Sequence, residues 1–420
     1  MLPAPDVLYK DNVPVSPRNG AWELEGTELY RPASKTKWSV LSLGSPQYCP
    51  RPAIEKFVSM LISYERKLGM SVERPQAIKE CGPTNRMPDV LRKEKEAILG
   101  LQTIFVGGVN KTPIYNELKS AAETEIGVMT QCVTDKSITT KCNPVVVVNI
   151  LQKVNAKLGG VNKTLPKSVK SIIFITPVIV MGSDVTHPGA KEFNRPSIAA
   201  LVASADPFAE QNMEVTARVE ITKDMKNIVK ELLLGFYNAN NQVRPEKILF
   251  YRDGVSESPF SPGITFLTVQ KRHHTRFMPE NRRDGCGKNG NIPPGTTIDT
   301  TVTHPVDFDF FLCSHFGIQG TSRPAHYYVL WDVNEFTADV LHKLTYGLCH
   351  TYARCARSVS IPVPVYNAHH AAQRAKCYVD ARSDIYDSSG SSSFGSLPSM
   401  DFLDAAVSVQ SPMKEAMFFV

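Results

Sequence analysis

The 420-residue chain lacks any run of eighteen consecutive apolar residues. Its first residues, MLPAPDVLYKDN, also lack a basic segment followed by an apolar one. These absences argue against a membrane span and a secretory signal, and they predict a soluble, non-secreted protein. The nine cysteines are odd in number and none are spaced as CxxC, which predicts reduced, intracellular thiols. The sequence contains no internal repeat.

Composition sets only broad limits on function. Apolar residues make up 42% of the chain, enough for the cores of two or three domains, so a fibrous or wholly disordered protein is excluded. The net charge of +6 fits a polyanionic partner. Because this excess is modest, the placement of the basic residues has to decide whether the partner is a nucleic acid.

The order of apolar and polar segments predicts an α/β protein with two domains. Residues 1–38 carry scattered Pro, Gly and Asn and are interpreted as a linker laid over a neighbouring surface. A strand is predicted to begin near Trp38, and apolar strands alternate with helical runs over 39–165, which is typical of a βαβ domain. A second α/β domain is predicted over 170–420, with a flexible Ser/Gly-rich insertion at about 383–398 before a short C-terminal helix.

Two apolar strands each run into an aspartate. The segments VIVMGSDVTHP and KILFYRDGVSE contain Asp184 and Asp253, and a later segment, PVPVYNAHHAAQRAK, supplies His369. Functional groups of an open α/β sheet collect beyond the carboxyl ends of strands, so the three side chains are predicted to form one metal site. Carboxylate oxygens suit Mg²⁺ or Mn²⁺, and a pair of such ions supports phosphoryl displacement in nucleases. The alternative for either aspartate alone is a turn former or a helix N-cap.

Two predicted helices carry lysines on one face. Pro113 suits a first helical position, and the helix that follows places Tyr115 and Lys119 on the same side. The helix PVVVVNILQKVNAKLGG places Lys153 and Lys157 four residues apart, a repulsive spacing that a bound phosphate would offset. The alternative is a solvated lysine face. The aromatic ring beside Lys119 favours a nucleotide end, with the ring stacked on a base.

A second basic cluster, QKRHHTRF, follows the strand GITFLTV and suits a phosphate backbone. Trp331, in the segment YVLWD, is predicted to lie in the core together with most neighbouring aromatics. His187 and His370 are interpreted as structural, because a lone histidine usually serves packing or a backbone hydrogen bond.

Seven segments in this order resemble the MID and PIWI domains of eukaryotic Argonautes: GSDVTHP, FYRDGVSE, QKRHHTR, GNIPPGTT, FDFFLCSH, GIQGTSRP and CHTYARCARSVSIP. The resemblance covers nearly the whole chain. It implies a Rossmann-like MID domain followed by a ribonuclease H-like PIWI domain, without the N and PAZ domains. The implied function is binding of a small guide RNA with a 5′ phosphate, and of a complementary target RNA, in RNA-mediated gene silencing.

The resemblance also implies roles for individual residues. Tyr115 would stack on the first guide base, and the 5′ phosphate would be bound by Lys119, Gln131, Lys153, Lys157 and Arg374. The guide backbone would lie near Lys271, Arg272, His273 and Arg354. For an endoribonuclease that cuts the guide-paired target, Asp184, Asp253 and His369 would bind Mg²⁺ or Mn²⁺, and Glu220 on a mobile finger would order a water. The loop before Glu220 is shorter than in the family, with Glu214 a weaker substitute, so a catalytically inactive RNA-binding module is the alternative.

A second departure concerns the strand 247–251 and the strand GITFLTV. They are predicted to be parallel neighbours, which requires a crossover of a dozen or more residues, yet only RDGVSESPFSP lies between them. Either the pair is rearranged, or a helix is missing through a skipped exon, an error of gene prediction or a lineage-specific deletion, giving a defective isoform. In animal Argonautes this helix contributes to pockets for tryptophans of silencing scaffold proteins, so its absence bears on those partners. Family likeness favours a cytoplasmic protein.

Overall fold

The computed structural model describes residues 1–35, 37–82, 86–110, 112–170, 173–189, 195–204, 215–220, 225–252, 263–382, 400–414 and 416–420. The strands are β1 (Val7–Leu8), β2 (Pro14–Val15), β3 (Ser34–Lys35), β4 (Trp38–Ser42), β5 (Ser71–Val72), β6 (Ala77–Glu80), β7 (Thr103–Gly107), β8 (Met129–Val133), β9 (Val178–Thr186), β10 (Ile198–Ser204), β11 (Val215–Glu220), β12 (Lys247–Arg252), β13 (Gly263–Gln270), β14 (Thr296–Ile298), β15 (Asp309–Cys313) and β16 (Ala325–Asp332). The α-helices are α1 (Arg51–Lys67), α2 (Met87–Ala97), α3 (Thr112–Ser120), α4 (Asp135–Ile138), α5 (Pro144–Lys157), α6 (Lys167–Lys170), α7 (Met225–Ala239), α8 (Ala338–Leu348), α9 (Val363–Ala381), α10 (Met400–Val407) and α11 (Ser411–Lys414). A π-helix spans Ala121–Ile126, and short 3₁₀ helices span Lys10–Asn12 and Arg282–Asp284.

The first sheet is parallel and has the strand order β6-β4-β7-β8. Its strands bury side chains on both faces, because α1 and α5 pack on one face while α2 and α3 pack on the other. α5 starts where the sequence predicted, with Pro144 at its first position and the side chain of Asn143 capping the Val146 N–H. The predicted strand at Trp38 and the predicted βαβ arrangement are confirmed.

The second sheet has eight strands in the order β11-β10-β9-β12-β13-β16-β15-β14. β12 runs parallel to β9 and to β13, and the other neighbouring pairs are antiparallel. α8 and α9 pack on one face of this sheet, while α7 packs on the other. The chain is therefore an α/β protein in which both of the larger sheets have helices on both faces; β1-β2 and β3-β5 form two further two-stranded sheets.

α9 approaches β9 very closely, and one glycine permits this. A Cβ built on Gly182 would lie 2.1 Å from the carbonyl carbon of Pro364, in the first turn of α9. The helix also places small, fully buried side chains against the sheet: Ala368, Ala371, Ala372 and Ala375. These small residues fix the position of α9, which carries residues of both candidate sites.

The pairing of β12 with β13 answers one question left by the sequence. Lys247 pairs with Gly263 and Arg252 pairs with Thr268, so the strands are parallel neighbours and the alternative of a rearranged pair is excluded. The connection, residues 253–262, lies outside the described residues.

The prediction that Trp331 is a core residue is wrong, because its side chain is 63% exposed. Trp331 pairs with Phe266 on the sheet face that α7 partly covers. Phe266 packs against the cluster to which α7 contributes and stacks on Phe250, whereas none of the described helices buries Trp331. Strand pattern alone does not report how far a covering helix extends.

The N-terminal segment lies over the joint between the two sheets, as interpreted from its composition. Leu8 pairs with Thr164, and the Trp22 N–H donates to the Ala356 carbonyl. Val7, Tyr9 and Trp22 form a small buried cluster there. No helix in the described ranges is both long and apolar enough to cross a membrane. The Ser/Gly-rich insertion falls on residues outside the described ranges, and α10 matches the predicted short C-terminal helix.

Candidate phosphate pocket and metal site

A cavity of about 280 Å³ lies where α3, β8 and α5 meet α9. It gathers the basic residues that the sequence had placed on separate elements. The lining residues are Tyr115, Lys119, Gln131, Cys132, Lys153, Lys157, Arg354, His370, Gln373, Arg374, Cys377, Phe419 and Val420. All six residues predicted to bind a guide 5′ end therefore line one cavity, and Arg354, predicted near the guide backbone, joins them.

Backbone and amide oxygens hold the two buried lysines in place. Lys119 donates to the Thr130 carbonyl at 2.9 Å and to the Thr130 hydroxyl at 2.7 Å. Lys157 donates to the same carbonyl at 3.2 Å and to Oε1 of Gln131 at 2.9 Å. β8 thus fixes the Nζ atoms of both lysines, and Gln131 contributes by holding Lys157.

Glu123, in the π-helix, is a fully buried carboxylate that joins the two halves of the cavity wall. Nη1 of Arg374 donates to its two oxygens at 2.6 and 2.9 Å, and the Tyr378 hydroxyl donates at 2.5 Å. Lys119 lies 3.3 Å from Oε1 of Glu123. Burial raises the pKa of Glu123, but Arg374, Lys119 and the Tyr378 hydroxyl outweigh it and hold the pKa below its usual value.

The sequence reasoning missed Glu123. The available signal was its position four residues after Lys119, a spacing at which helical side chains of opposite charge pair.

The cavity is strongly cationic around its lysines. Burial lowers the pKa of Lys157 well below its usual value, and the charges of Lys119 and Arg374 lower it further. Burial likewise lowers the pKa of Lys153, with Arg354 adding to the effect. Lowered pKa values of this kind mark a site whose cations have too few counter-charges. An anion entering the cavity would supply them.

Tyr115 stands at the edge of the cavity with its ring near two cations. Nη2 of Arg374 donates to the Tyr115 hydroxyl at 3.1 Å. The Lys119 ammonium and the Arg374 guanidinium lie 5.9 and 5.8 Å from the ring centroid. The ring is half-buried, and its surroundings suit stacking on a nucleobase next to a bound phosphate.

His370 lines the cavity, which the sequence interpretation as a structural histidine did not anticipate. Nη1 of Arg354 lies 3.0 Å from its Nε2, and the Tyr352 hydroxyl lies 2.8 Å from the same atom. Burial lowers the pKa of His370 to about 3, and Arg354 contributes to that shift. The neutral ring thus supports Arg354 at the cavity wall.

The remaining predicted guide-backbone residues lie outside this cavity. Lys271 directly follows β13 and donates to the Ser360 hydroxyl at 2.5 Å. His273 lies 2.8 Å from the Pro324 carbonyl, and Arg272 is exposed between them. The structure therefore places these side chains after β13, separate from the cluster at the cavity.

The predicted metal ligands are partly within the described residues. Asp184 lies in β9, and its Oδ2 is 2.6 Å from Nδ1 of His369 on α9. Oδ1 of Asp184 accepts from the Val185 N–H at 2.8 Å. Arg252, the last residue of β12, pairs with Ser183 of the parallel strand β9. Asp184 and Asp253 are thus the residues that directly follow this pair in the sequence. Asp253 itself lies outside the described residues.

Within the described part of the chain, no three His, Cys, Asp or Glu side chains form a metal-binding group. Asp184 and His369 nevertheless provide a carboxylate and an imidazole in direct contact, a donor set that fits a divalent cation.

Glu220, predicted to lie on a mobile finger, is the last residue of β11, and its backbone pairs with Ala199. Val185 pairs with the same Ala199, whereas Asp184 pairs with Ala200. The backbone of Glu220 is thus part of the sheet ladder. Its side chain, like Glu214, lies outside what the structure describes.

Comparison with known proteins agrees with this architecture. The chain matches the Piwi domain family over residues 103–262 and 259–380, and the Mid domain of Argonaute over residues 16–85. The fold is similar to the C-terminal lobe of a budding yeast Argonaute, with a TM-score of 0.86 and 22% identity over 100% of this chain and 94% of that one.

Two longer proteins share the fold. The Kluyveromyces polysporus Argonaute, solved with a guide RNA, matches with a TM-score of 0.85 and 22% identity, and Drosophila Piwi with 0.77 and 19%. All of this chain is covered in both cases, but it spans only 56% of each of those chains. The Piwi family match extends over more than half of the sequence. The chain belongs to the Argonaute–Piwi family, of which it contains the MID and PIWI portion.

Proposed function

We propose that the chain binds the 5′ end of a small guide RNA in RNA-mediated gene silencing. The observation that carries this proposal is the cavity between the two halves of the molecule, where five basic side chains converge: Lys119, Lys153, Lys157, Arg354 and Arg374. Glu123 is the acidic partner of two of them, Lys119 and Arg374. The surplus positive charge, beside the ring of Tyr115, suits a terminal phosphate followed by a base.

The ligand class follows from the shape and composition of the site. A phosphate monoester carries up to two negative charges and three strong acceptor oxygens, so it can accept from several of these donors at once. A 5′ hydroxyl offers neither the charge nor the acceptors. Because the cations lie inside a cavity and not along an open groove, we expect them to read the end of a strand. Other basic residues, including Lys271, Arg272 and His273, would then contact the following backbone phosphates.

The decisive measurement is the affinity of the purified chain for a short single-stranded RNA with and without a 5′ phosphate. We expect a clear preference for the phosphorylated RNA, which Lys153→Ala and Lys157→Ala should each weaken. Lys141→Ala is the matched control, since Lys141 is exposed and outside the cavity. Equal, weak binding of both RNAs by the wild-type chain would reject the proposal.

A second candidate function is metal-dependent cleavage of a target RNA paired to the guide, favoured by the contact between Asp184 and His369. These two residues, with Asp253, would hold Mg²⁺ or Mn²⁺. Two such ions would stabilise the attacking and leaving oxygens of the phosphodiester. The Val185 N–H orients the Asp184 carboxylate, and α9 holds His369 beside it.

Cleavage is tested with a 5′-phosphorylated guide, a complementary target and Mn²⁺. Any activity should disappear in Asp184→Ala, while the preference for a 5′-phosphorylated RNA remains. Absence of cleavage by a chain that binds the guide normally would identify a catalytically inactive silencing module. Cytoplasmic location and binding of tryptophan-bearing scaffold proteins stay predictions from the family resemblance.

A further inference from the structure

Lys157 differs from the other lysines of the cavity in its hydrogen bonds. Its side chain is 4% exposed, and its Nζ donates to two neutral oxygens, the Thr130 carbonyl and Oε1 of Gln131. No carboxylate in the described part of the chain lies within salt-bridge distance of it. A neutral amine has two N–H donors and an ammonium has three. Both acceptors are neutral oxygens, so neither offsets the charge that the ammonium form would carry in this buried position.

Among the charged and titratable groups around Lys157, the cations disfavour its charged form, whereas Glu123 and Cys132 favour it with a smaller effect. The cations are Lys119 from α3, Arg374 from α9 and Lys153 from its own helix. The other titratable side chains are Glu123 from the π-helix, Cys132 from β8 and Cys377 from α9, and the last residue, Val420, also lines the cavity. Glu123, the buried carboxylate, already accepts from Arg374 and Tyr378 and lies beside Lys119. Repulsion from nearby cations and the loss of water both disfavour a charge on Lys157.

We propose that Lys157 is uncharged in the empty cavity and takes up a proton from solvent when a 5′-phosphate monoester binds. This inference rests on the proposed guide-end function and adds a chemical step to it. The bound phosphate would supply the missing counter-charge and a third acceptor, so the ammonium form becomes the stable one. The lowered pKa of Lys157 agrees with this direction. Binding of the phosphorylated end is then coupled to uptake of up to one proton.

Proton uptake by Lys157 and titration of the ligand change the affinity in opposite directions as the pH rises. The second ionisation of a phosphate monoester lies near ~6, so the ligand is almost fully dianionic at pH 8. Raising the pH from 6 to 7 increases the charge of the ligand and favours binding. Uptake of a proton by Lys157 has the opposite effect. Above the pKa that Lys157 has in the empty cavity, each rise of one pH unit weakens binding about tenfold if one proton is taken up. Measurements above pH 7.5 therefore separate proton uptake by the protein from titration of the ligand, and the Lys157→Arg variant assigns the uptake to Lys157.

The test is calorimetric titration of the full chain with 5′-phosphorylated and 5′-hydroxyl single-stranded RNA at pH 8, in two buffers of different ionisation enthalpy. The dependence of the heat on the buffer gives the number of protons taken up. We expect a net uptake with the phosphorylated RNA and an uptake near zero with the hydroxyl RNA. In Lys157→Arg the uptake should be lost, because a guanidinium stays charged. Lys141→Arg, an exposed change of the same chemistry outside the cavity, should retain it.

The outcomes distinguish this inference from the proposed function. A preference for the phosphorylated RNA without proton uptake, or with equal uptake in Lys157→Arg, overturns the role of Lys157 and leaves the guide-end function intact. Equal affinity for both RNAs rejects the function itself. If Lys157→Arg fails to fold, Lys153→Arg decides between the two lysines: loss of the uptake in this variant would assign the proton to Lys153 and refute the role of Lys157. In the wild-type chain the ratio of the two affinities should fall between pH 7.5 and 9, and a ratio that is constant or rises refutes the coupling.

Discussion

Replacing Glu123 with glutamine should strongly destabilise the protein without changing the size of the side chain. The carboxylate is fully buried and accepts three close hydrogen bonds, two from Arg374 and one from Tyr378, while Lys119 lies 3.3 Å away. Removing one partner from a buried ion pair typically costs about 3–5 kcal/mol, because the other charge stays buried without compensation. The full value applies here, since no solvent screens the group.

The loss can be measured by thermal denaturation followed by circular dichroism. For a domain of about 150–250 residues, each 1 kcal/mol of lost stability lowers the melting temperature by roughly 2–4 °C. We therefore expect Glu123→Gln to melt about 6–20 °C lower than the wild-type chain. Glu125→Gln is the matched control, because Glu125 is exposed on the same π-helix and its substitution should change stability by less than about 0.5 kcal/mol.

The sign of the pH dependence provides a second check on Glu123. Its pKa is lowered in the folded state, so its contribution is present above the unfolded pKa and is lost as the pH falls through the folded one. If Glu123→Gln and Glu125→Gln melt within a few degrees of each other at pH 7, the argument that Glu123 joins the two halves of the cavity is refuted.

Three further changes test the fold around the sites. Gly182→Ala should cost about 3 kcal/mol in urea denaturation, because the new Cβ would meet the Pro364 backbone. Gly235→Ala in α7 should stabilise by up to about 1 kcal/mol, because the new Cβ would meet no described atom within 4 Å outside its own helix; equal effects would contradict the close contact of β9 and α9. Lys35 and Glu65 form a fully buried ion pair. Lys35→Met should lower the free energy of unfolding by about 3–5 kcal/mol, because Glu65 is left unpaired, and the double variant Lys35→Met with Glu65→Leu should recover most of this loss. Additive effects of the two substitutions would reject this reasoning. Burial lowers the pKa of His350 to about 4, so the histidine is protonated more readily in the unfolded chain than in the folded one. This difference should lower the free energy of unfolding by about 2–3 kcal/mol between pH 6.5 and 4.5. His350→Gln should remove that part of the acid sensitivity, as urea denaturation at the two pH values would show.

Much of the local structure could be predicted from the sequence, because it depends on local signals. Apolar runs predicted β9 and β12, and the segment PVVVVNILQKVNAKLGG was predicted to be a helix, which is α5. The helical spacing of lysines predicted which of them share a face, and the structure places Lys153 and Lys157 on one cavity wall. The resemblance to Argonautes joined these elements to Arg374, more than two hundred residues from Lys157.

The rest depends on contacts that no local pattern reports. Glu123 and Arg374 are 251 positions apart, and their ion pair exists only because the two halves pack together. The π-helix that presents Glu123 has no distinctive periodicity. The exposure of Trp331 depends on how far the covering elements extend across the sheet, and β-strand alternation does not contain that information. The two Piwi matches meet at residues 259–262, within the short connection from β12 to β13 where a helix was expected.

α9 connects the two candidate sites through a short stretch of one helix. His369 contacts Asp184, and Arg374, five residues later, contacts Glu123, a separation of roughly 7.5 Å along the helix axis. Adjacent helical residues point about 100° apart, so His369 faces β9 while His370 faces the cavity. Because alanines and Gly182 hold this helix tightly against the sheet, the α9 residues of both sites are held in one position relative to β9. A guide end bound at Arg374 would therefore be fixed relative to Asp184 by the helix itself, without a flexible element between them.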